Sequence, residues 1–276
     1  FNDGSIADCS ATGSITGENS SEFLGGLCGR NNGSISKCYA TGSVTGGDDS
    51  EYLGGVCGNN FGSISGCYAT GNIQGDERVG GLCGWNKGAI SNGYAAGSVT
   101  GNIDVGGLVG ENDGGHITDC YAIGQVIGID DVGGLVGGGS SFSARVSKSF
   151  WDIQTSGQTT SSGGTGKTTL EMKNIDTFYD WGGCGVEWTI DDGNDYPRLL
   201  WENKPGLEIY HSLSDLLEGS GEPNEPYLIE TVEQLNLISL HPCEWNKHFK
   251  LVADIDMDPA LPSGQCQGRN LQRRNG

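Results

Sequence analysis

The chain has 276 residues, among them 50 Gly and only seven Pro, and a formal charge of −20 at pH 7. So much glycine, in neither a collagen triplet nor a linker-like Gly/Ser run, disfavours helix and leaves strand and turn as the main content. The charge, with no basic patch to offset it, excludes nucleic acid and anionic membrane surfaces as partners, and no apolar run approaches the ~18 residues of a bilayer-spanning helix.

The chain opens on FNDGSI, inside a repeat and without an initiator Met, so any export signal is expected upstream. Gly-Gly pairs beginning at 25, 54, 80, 106 and 133 recur after 29, 26, 26 and 27 residues, inside LGGLCG, LGGVCG, VGGLCG, VGGLVG and VGGLVG. In step with them run CSATG at 9, CYATG at 38 and 67, GYAAG at 93 and CYAIG at 120, and a decayed sixth copy starts at ARVSKSFW. A period of this length marks a solenoid, propeller or array, because so short a unit buries its apolar face only against copies of itself. Within CYATGSV, alternation puts Cys38, Ala40, Gly42 and Val44 on one face and Tyr39, Thr41 and Ser43 on the other, which is the period of a strand. Ile35 is out of phase, and this predicts a bend or bulge between Ile35 and Cys38.

A propeller blade takes about 40 residues, too many for these units. The expected fold is all-β: a right-handed β-helix (β-solenoid) of about five 26–29 residue coils, with about three strands per coil and ~4.8 Å of rise for each. Stacking turns every repeat position into a ladder. Leu27, Val56, Leu82, Leu108 and Leu135 form one apolar column and Leu24, Leu53, Val79, Val105 and Val132 another, and both are expected core. Asn31, Asn60, Asn86 and Asn112, each in a G-x-N-x-G stretch, suit left-handed turns. Tyr39, Tyr68, Tyr94 and Tyr121 make an aromatic column, a candidate ligand-binding ladder whose other reading is ladder packing.

The motifs G-x-I-x-x-C-Y-A-T-G-x-V-x-G and V-G-G-L-V-G-x-N resemble the GLUG-motif repeats of bacterial secreted and cell-surface proteins, a family associated with adhesins and with some IgA-specific peptidases. The resemblance covers residues 1–140. It implies an exported, surface-associated binding or scaffolding role, extracellular or at the cell surface, and it brings no catalytic residues, because the repeat motif has none.

Residues 141–205 lose the period and gain Trp151, Phe178, Trp181, Trp188 and Trp201. They are expected to cap the exposed last coil, with one short helix over Thr169–Asp176, and SFWDIQTSGQ, GGTGKTTLEM and DYPRLLWE look like the tail that often closes such arrays. Residues 206–276 contain GSGEPNEPYLIETVEQLNLI and FKLVADIDM. They resemble the truncated start of a second β-helical module, with a strand, a short helix and a first coil strand.

The chemical motifs are weaker. GGTGKTT mimics a phosphate-binding loop, but the motif G-x-x-x-x-G-K-[ST] needs Gly where Ser161 stands and a buried strand before it. It reads as a Gly/Thr loop before a helix, and nucleotide binding is not expected. Cys9, Cys38, Cys67 and Cys120 share one ladder and Cys28, Cys57 and Cys83 another, continued by Val109 and Val136. Buried thiols are favoured over disulfides, which stay open. The acidic turns Asp48, Asp49, Glu51, Asp76, Glu77, Asp104, Asp130 and Asp131 admit calcium, though a solvated acidic face explains them more simply. DIDMD at 254–258 lacks the Gly and Glu of an EF-hand, having Pro259 and Gln265 there, and His241, Cys243 and His248 lack a fourth zinc ligand. No G-x-S-x-G occurs, and Arg30, Lys37, Arg78 and Lys87 stand at non-equivalent repeat positions, so repetition builds no basic site. The resulting expectation is a non-enzymatic adhesion, ligand-binding or display scaffold with no catalytic, cofactor or metal residues. The alternatives are an accessory region of a larger polysaccharide-degrading or proteolytic enzyme and a purely structural spacer.

Overall fold

Each coil contributes strands to four sheets where three strands were expected. In the third coil these are Ser63–Ala69, Ile73–Gln74, Glu77–Gly80 and Cys83–Asn86. The additional corner comes from the Gly-Gly pair: a Cβ on Gly54 would lie 2.1 Å from Cys57 O, and one on Gly55 would lie 2.4 Å from Gly81 O. Only glycine lets the chain turn that tightly between two strands. The computed structural model describes residues 1–139, 145–178, 181, 187–209, 213–240 and 244–255. In it the chain forms two compact units, one ending at residue 209 and the other following it.

The first unit is a β-solenoid of about five turns built from four parallel stacked sheets. The tyrosine sheet contains Ser63–Ala69 and its equivalents, and the corner sheet contains Ile73–Gln74. The carboxylate sheet contains Glu77–Gly80, and the asparagine sheet contains Cys83–Asn86. Register is strict: Tyr68 pairs with Tyr39 and Tyr94, Val79 with Leu53 and Val105, and Asn86 with Asn60 and Asn112. Both apolar columns point inward. Val56, Leu82, Leu108 and Leu135 pack with the cysteine and Ile35/Ile64/Ile90/Ile117 columns, while Leu53, Val79 and Val105 pack with Val44, Ile73 and Val99.

The bend expected between Ile35 and Cys38 is one left-handed residue per coil. Asp8, Lys37, Gly66, Asn92, Asp119 and Lys148 occupy the same position with φ between 46° and 60°. This single residue resets the alternation, so that Ile35 and Cys38 both reach the core. A second left-handed position runs through the carboxylate sheet at Phe23, Tyr52, Arg78, Asp104 and Asp131.

The asparagines differ from expectation. Asn31, Asn60, Asn86 and Asn112 lie in strands, not left-handed turns, and are buried. Asn31, Asn60 and Asn86 each donate to the next Asn Oδ1 at 2.8 Å and Asn112 donates to Gly115 O at 3.0 Å, so the ladder is satisfied in the interior.

The periodicity break at 140 does not end the sheet. Arg145–Ser147 and Phe150–Asp152 pair in parallel with His116–Ala122, and Thr165–Lys167 pairs with Phe150–Asp152. The decayed sixth copy is therefore sheet, and so is part of GGTGKTT. Asp152 caps the short helix Ile153–Ser156 by accepting from Gln154 N and Thr155 N. In place of one helix over 169–176 there are two 3-10 turns, Glu171–Lys173 and Ile175–Phe178, separated by extended Asn174. Trp188–Ile190, Arg198–Leu199 and Leu207–Glu208 form a small antiparallel sheet, so the unit runs past the expected boundary at 205.

In the second unit Tyr227–Ile229 pairs in parallel with Phe249–Leu251 across the helix Val232–Leu240. This is the expected order of strand, helix and strand. Leu213, Leu217, Tyr227 and Ile229 are its buried core, and buried Glu244 accepts from Leu213 N and Tyr227 Oη. Residues 256–276 lie outside the described residues, and with them most of DIDMD and the Arg-bearing tail.

Candidate functional site

The tyrosine column forms as the register dictates. Tyr39, Tyr68, Tyr94 and Tyr121 stack with ring centroids 4.9 to 5.1 Å apart and planes within 8°. Trp151 and residues 160–162 cover the last coil as expected, Trp151 packing on Gly134 and Gly134 N donating to Thr160 O, whereas the rest of the aromatic segment lies along the side of this column. Phe178, Trp181, Trp188, Ile190 and Leu199 pack against Tyr94 and Tyr121. The physical reason is the left-handed column beside the tyrosines, which offers backbone and side-chain acceptors at Gly66, Asn92 and Lys148. Trp201 Nε1 donates to Gly66 O at 3.1 Å, Trp188 Nε1 to Asn92 Oδ1 at 3.0 Å, and Trp181 Nε1 to Lys148 O at 2.6 Å. Each tryptophan thus buries its ring and satisfies its N–H on the same sheet.

The ladder is therefore divided. Tyr94 and Tyr121 are 1 % and 0 % exposed, and Tyr121 Oη donates to Pro197 O, so neither ring offers a face to a ligand. Tyr39 and Tyr68 are half-buried and stack on Trp201 at 6.2 and 5.6 Å. Where the covered part meets the open part there is a groove of about 500 Å³. Thr41, Tyr68 and Thr70 lie on its solenoid side, and Asp195, Arg198, Glu202 and Lys204 on the other.

The groove carries a linked set of polar groups. Tyr94 Oη lies 3.2 and 3.1 Å from the two Glu202 oxygens and accepts from Arg198 at 3.1 Å; Arg198 also donates to Asp195 Oδ2 at 3.3 Å. Leu199 N donates to Glu202 Oε1 at 2.8 Å, which fixes the carboxylate. Burial pushes the Tyr68 phenol up to about 12, with the Glu202 charge adding to it, and burial also raises Glu202. At neutral pH the groove therefore presents neutral phenols beside three carboxylates, Asp191, Asp195 and Glu202, and two cations, Arg198 and Lys204, a surface for hydrogen bonding. Arg198, Glu202 and Asp195 escaped the sequence reading because 108 residues separate Tyr94 from Glu202, and no local pattern announces that contact.

Other sequence candidates resolve as follows. Thr165–Lys167 is a strand whose Thr165 N is committed to Ser149 O. Thr168 and Glu171 exchange capping hydrogen bonds, and Lys167 Nζ lies 3.7 Å from Glu171. The loop reading of GGTGKTT is replaced by a sheet edge leading into a capped turn. The seven cysteines described are free thiols. Each donates to a backbone carbonyl two residues away, as Cys57 does to Asn59 O at 3.1 Å and Cys67 to Ser65 O at 3.3 Å. Among the described residues no three His, Cys, Asp or Glu side chains converge as a metal site; His241 and Cys243 lie outside them.

On the carboxylate and asparagine sheets, Arg78 lies 2.9 Å from Glu51, 3.3 Å from Glu77 and 2.7 Å from Glu111, relieving part of the repulsion that had admitted calcium. Three of the four cations within residues 1–139 sit over aromatic rings on this side: Arg30 over Phe61, Arg78 over Tyr52 and Lys87 over Trp85, at 4.5, 5.0 and 4.5 Å. Non-equivalent positions in sequence thus become neighbouring outward columns, with Lys87 neutralised by Asp113 at 3.1 Å.

Comparison with known proteins adds one match. The GLUG motif matches residues 24–45, 49–74 and 101–127. No curated protein and no solved structure matches the chain. Each matched segment includes a carboxylate-sheet strand and ends on the corner sheet, so one motif is one full turn. The solenoid of this chain carries the GLUG motif in three of its turns.

Proposed function

We propose that this chain is a non-enzymatic binding and display module of an exported bacterial surface protein. The observation that carries the reading is the groove beside Tyr68, where hydroxyls, a carboxylate and a guanidinium converge on a rigid, register-locked scaffold. Such a site on a solenoid flank suits recognition of an external ligand. Immobilised protein is to be screened against glycans and surface proteins, with Asp195→Asn/Glu202→Gln as the paired control. The expected result is a ligand whose binding the double variant weakens. Turnover of a polysaccharide by this chain would overturn the non-enzymatic reading.

The spacer reading also has an observation in its favour. Tyr94 and Tyr121 are consumed by packing, as in a column built only to hold length. A screen in which the wild-type chain and the double variant behave alike supports the spacer.

A further inference from the structure

The column next to the tyrosines changes character along the solenoid. It reads Thr12, Thr41, Thr70, Ala96, Ile123. Ala96 and Ile123 pack against the aromatic segment, whereas Thr12, Thr41 and Thr70 are exposed. Backbone pairing of Thr41 N with Ala11 O and Thr70 N with Ala40 O keeps the threonines in register, one strand spacing of about 4.8 Å apart. The groove therefore opens at one end onto a straight strip of hydroxyls. Among the described residues the Thr41, Thr70 and Tyr68 hydroxyls make no hydrogen bond.

Three features narrow the ligand. The strip repeats at about the length of one extended pyranose unit, so it fits a linear polymer lying along the solenoid axis. The groove lining holds three carboxylates, Asp191, Asp195 and Glu202, against two cations, Arg198 and Lys204, so its charge disfavours an acidic polymer, and the chain's charge of −20 repels one. The lining sets hydroxyl, carboxylate and guanidinium groups beside aromatic surface such as Tyr68 and Tyr196, which matches the vicinal diols and the apolar ring face of a sugar.

We propose that the groove and the Thr12–Thr41–Thr70 strip hold a neutral, linear polysaccharide chain. This rests on the binding-module reading and adds the class and direction of the ligand. The test is calorimetric titration with neutral β-linked glucan, mannan and xylan hexasaccharides, their disaccharides, and polygalacturonate as the acidic comparison. A hexasaccharide is expected to bind more tightly than its disaccharide, and polygalacturonate to bind least. Thr41→Val/Thr70→Val, which keeps β-branched shape in the strands, is expected to weaken the hexasaccharide about five- to tenfold. Circular dichroism and thermal melting confirm that the variant is folded. Unchanged hexasaccharide affinity in that variant, or preference for polygalacturonate, overturns the proposal. A protein ligand that depends on Asp195 and Glu202, with no neutral glycan bound, overturns it while the binding module stands; no ligand of any class overturns both.

Discussion

Asn60 Nδ2 donates to Asn86 Oδ1 at 2.8 Å, a rung of an amide ladder that runs from Asn2 to Asn112 through the interior. Replacing Asn86 by Leu takes the Oδ1 partner from the buried Asn60 amide, which keeps only the longer bonds to Gly62 O and Ala89 O, and takes the donor from buried Asn112 Oδ1. Each unsatisfied group costs about 1–3 kcal/mol, so Asn86→Leu is expected to lower unfolding free energy by about 2–6 kcal/mol, measured by urea denaturation. A loss under about 0.5 kcal/mol would contradict a structural role for the ladder.

Trp188→Phe keeps an aromatic ring but loses the bond to Asn92 Oδ1 and part of the packing on Tyr94 and Tyr121. A loss of about 2–4 kcal/mol is expected from the unpaired acceptor and the cavity. Hydrogen exchange should localise the weakening to residues 187–209 and the covered tyrosines, leaving the corner sheet protected.

Asp104 is held at about pKa 6, chiefly by burial and then by the Glu111 charge, with Arg78 opposing and Asp131 and Glu77 adding. A carboxyl raised above its unfolded value binds its proton more tightly in the folded state. Its contribution is therefore fully present below about pH 4 and lost as pH rises through about 6. Asp104→Asn should remove that portion of the pH dependence and be more stable than wild type at pH 7, as read by thermal melts across pH 4–7. The opposite sign would show that Arg78 dominates the site.

Lys167→Ala removes only a partly exposed pair with Glu171 and is expected to change stability by less than about 1 kcal/mol. ATP and GTP should leave the melting temperature of the wild-type chain unmoved. Micromolar nucleotide binding lost in Lys167→Ala would reinstate the phosphate-loop reading.

Cys9 is exposed, whereas Cys57, Cys67, Cys83 and Cys120 are buried, and burial raises the Cys120 thiol. Iodoacetamide followed by peptide mapping should label Cys9 in the native chain and the other four only after denaturant. Native labelling of Cys120 would mean that the core opens readily.

The parts legible in the sequence were those set by repetition. The two apolar columns, the tyrosine stack and the kink before Cys38 follow from register alone, because a period shared by five copies fixes which residues become neighbours. What repetition does not encode was missed. The fourth strand depends on how closely Gly54 approaches Cys57, and the asparagines were read from local turn preference although their ladder neighbours decide their conformation. Trp151 covers the last coil as a cap should, but Trp181, Trp188 and Trp201 hold to the flank through Lys148, Asn92 and Gly66, contacts that no spacing within residues 181–201 reveals. Arg30, Arg78 and Lys87 looked scattered because convergence between adjacent columns is invisible when each column is read separately.

The unequal repeat lengths have a consequence for altering the molecule. Between the corner and carboxylate strands lie residues 17–21 and 46–50 in the first two coils, but only 75–76, 101–102 and 128–129 in the later three. The one remaining residue of difference sits at 113–115, against 87–88 in the preceding coil. The differences in repeat length thus fall at two corners, while the strands keep their register with their neighbours. The exposed pair Asp48–Asp49 is accordingly a grafting point: a foreign epitope spliced between them would project from the flank, while Gly46 N and Ser50 O keep their bonds to Gln74 O and Glu77 N.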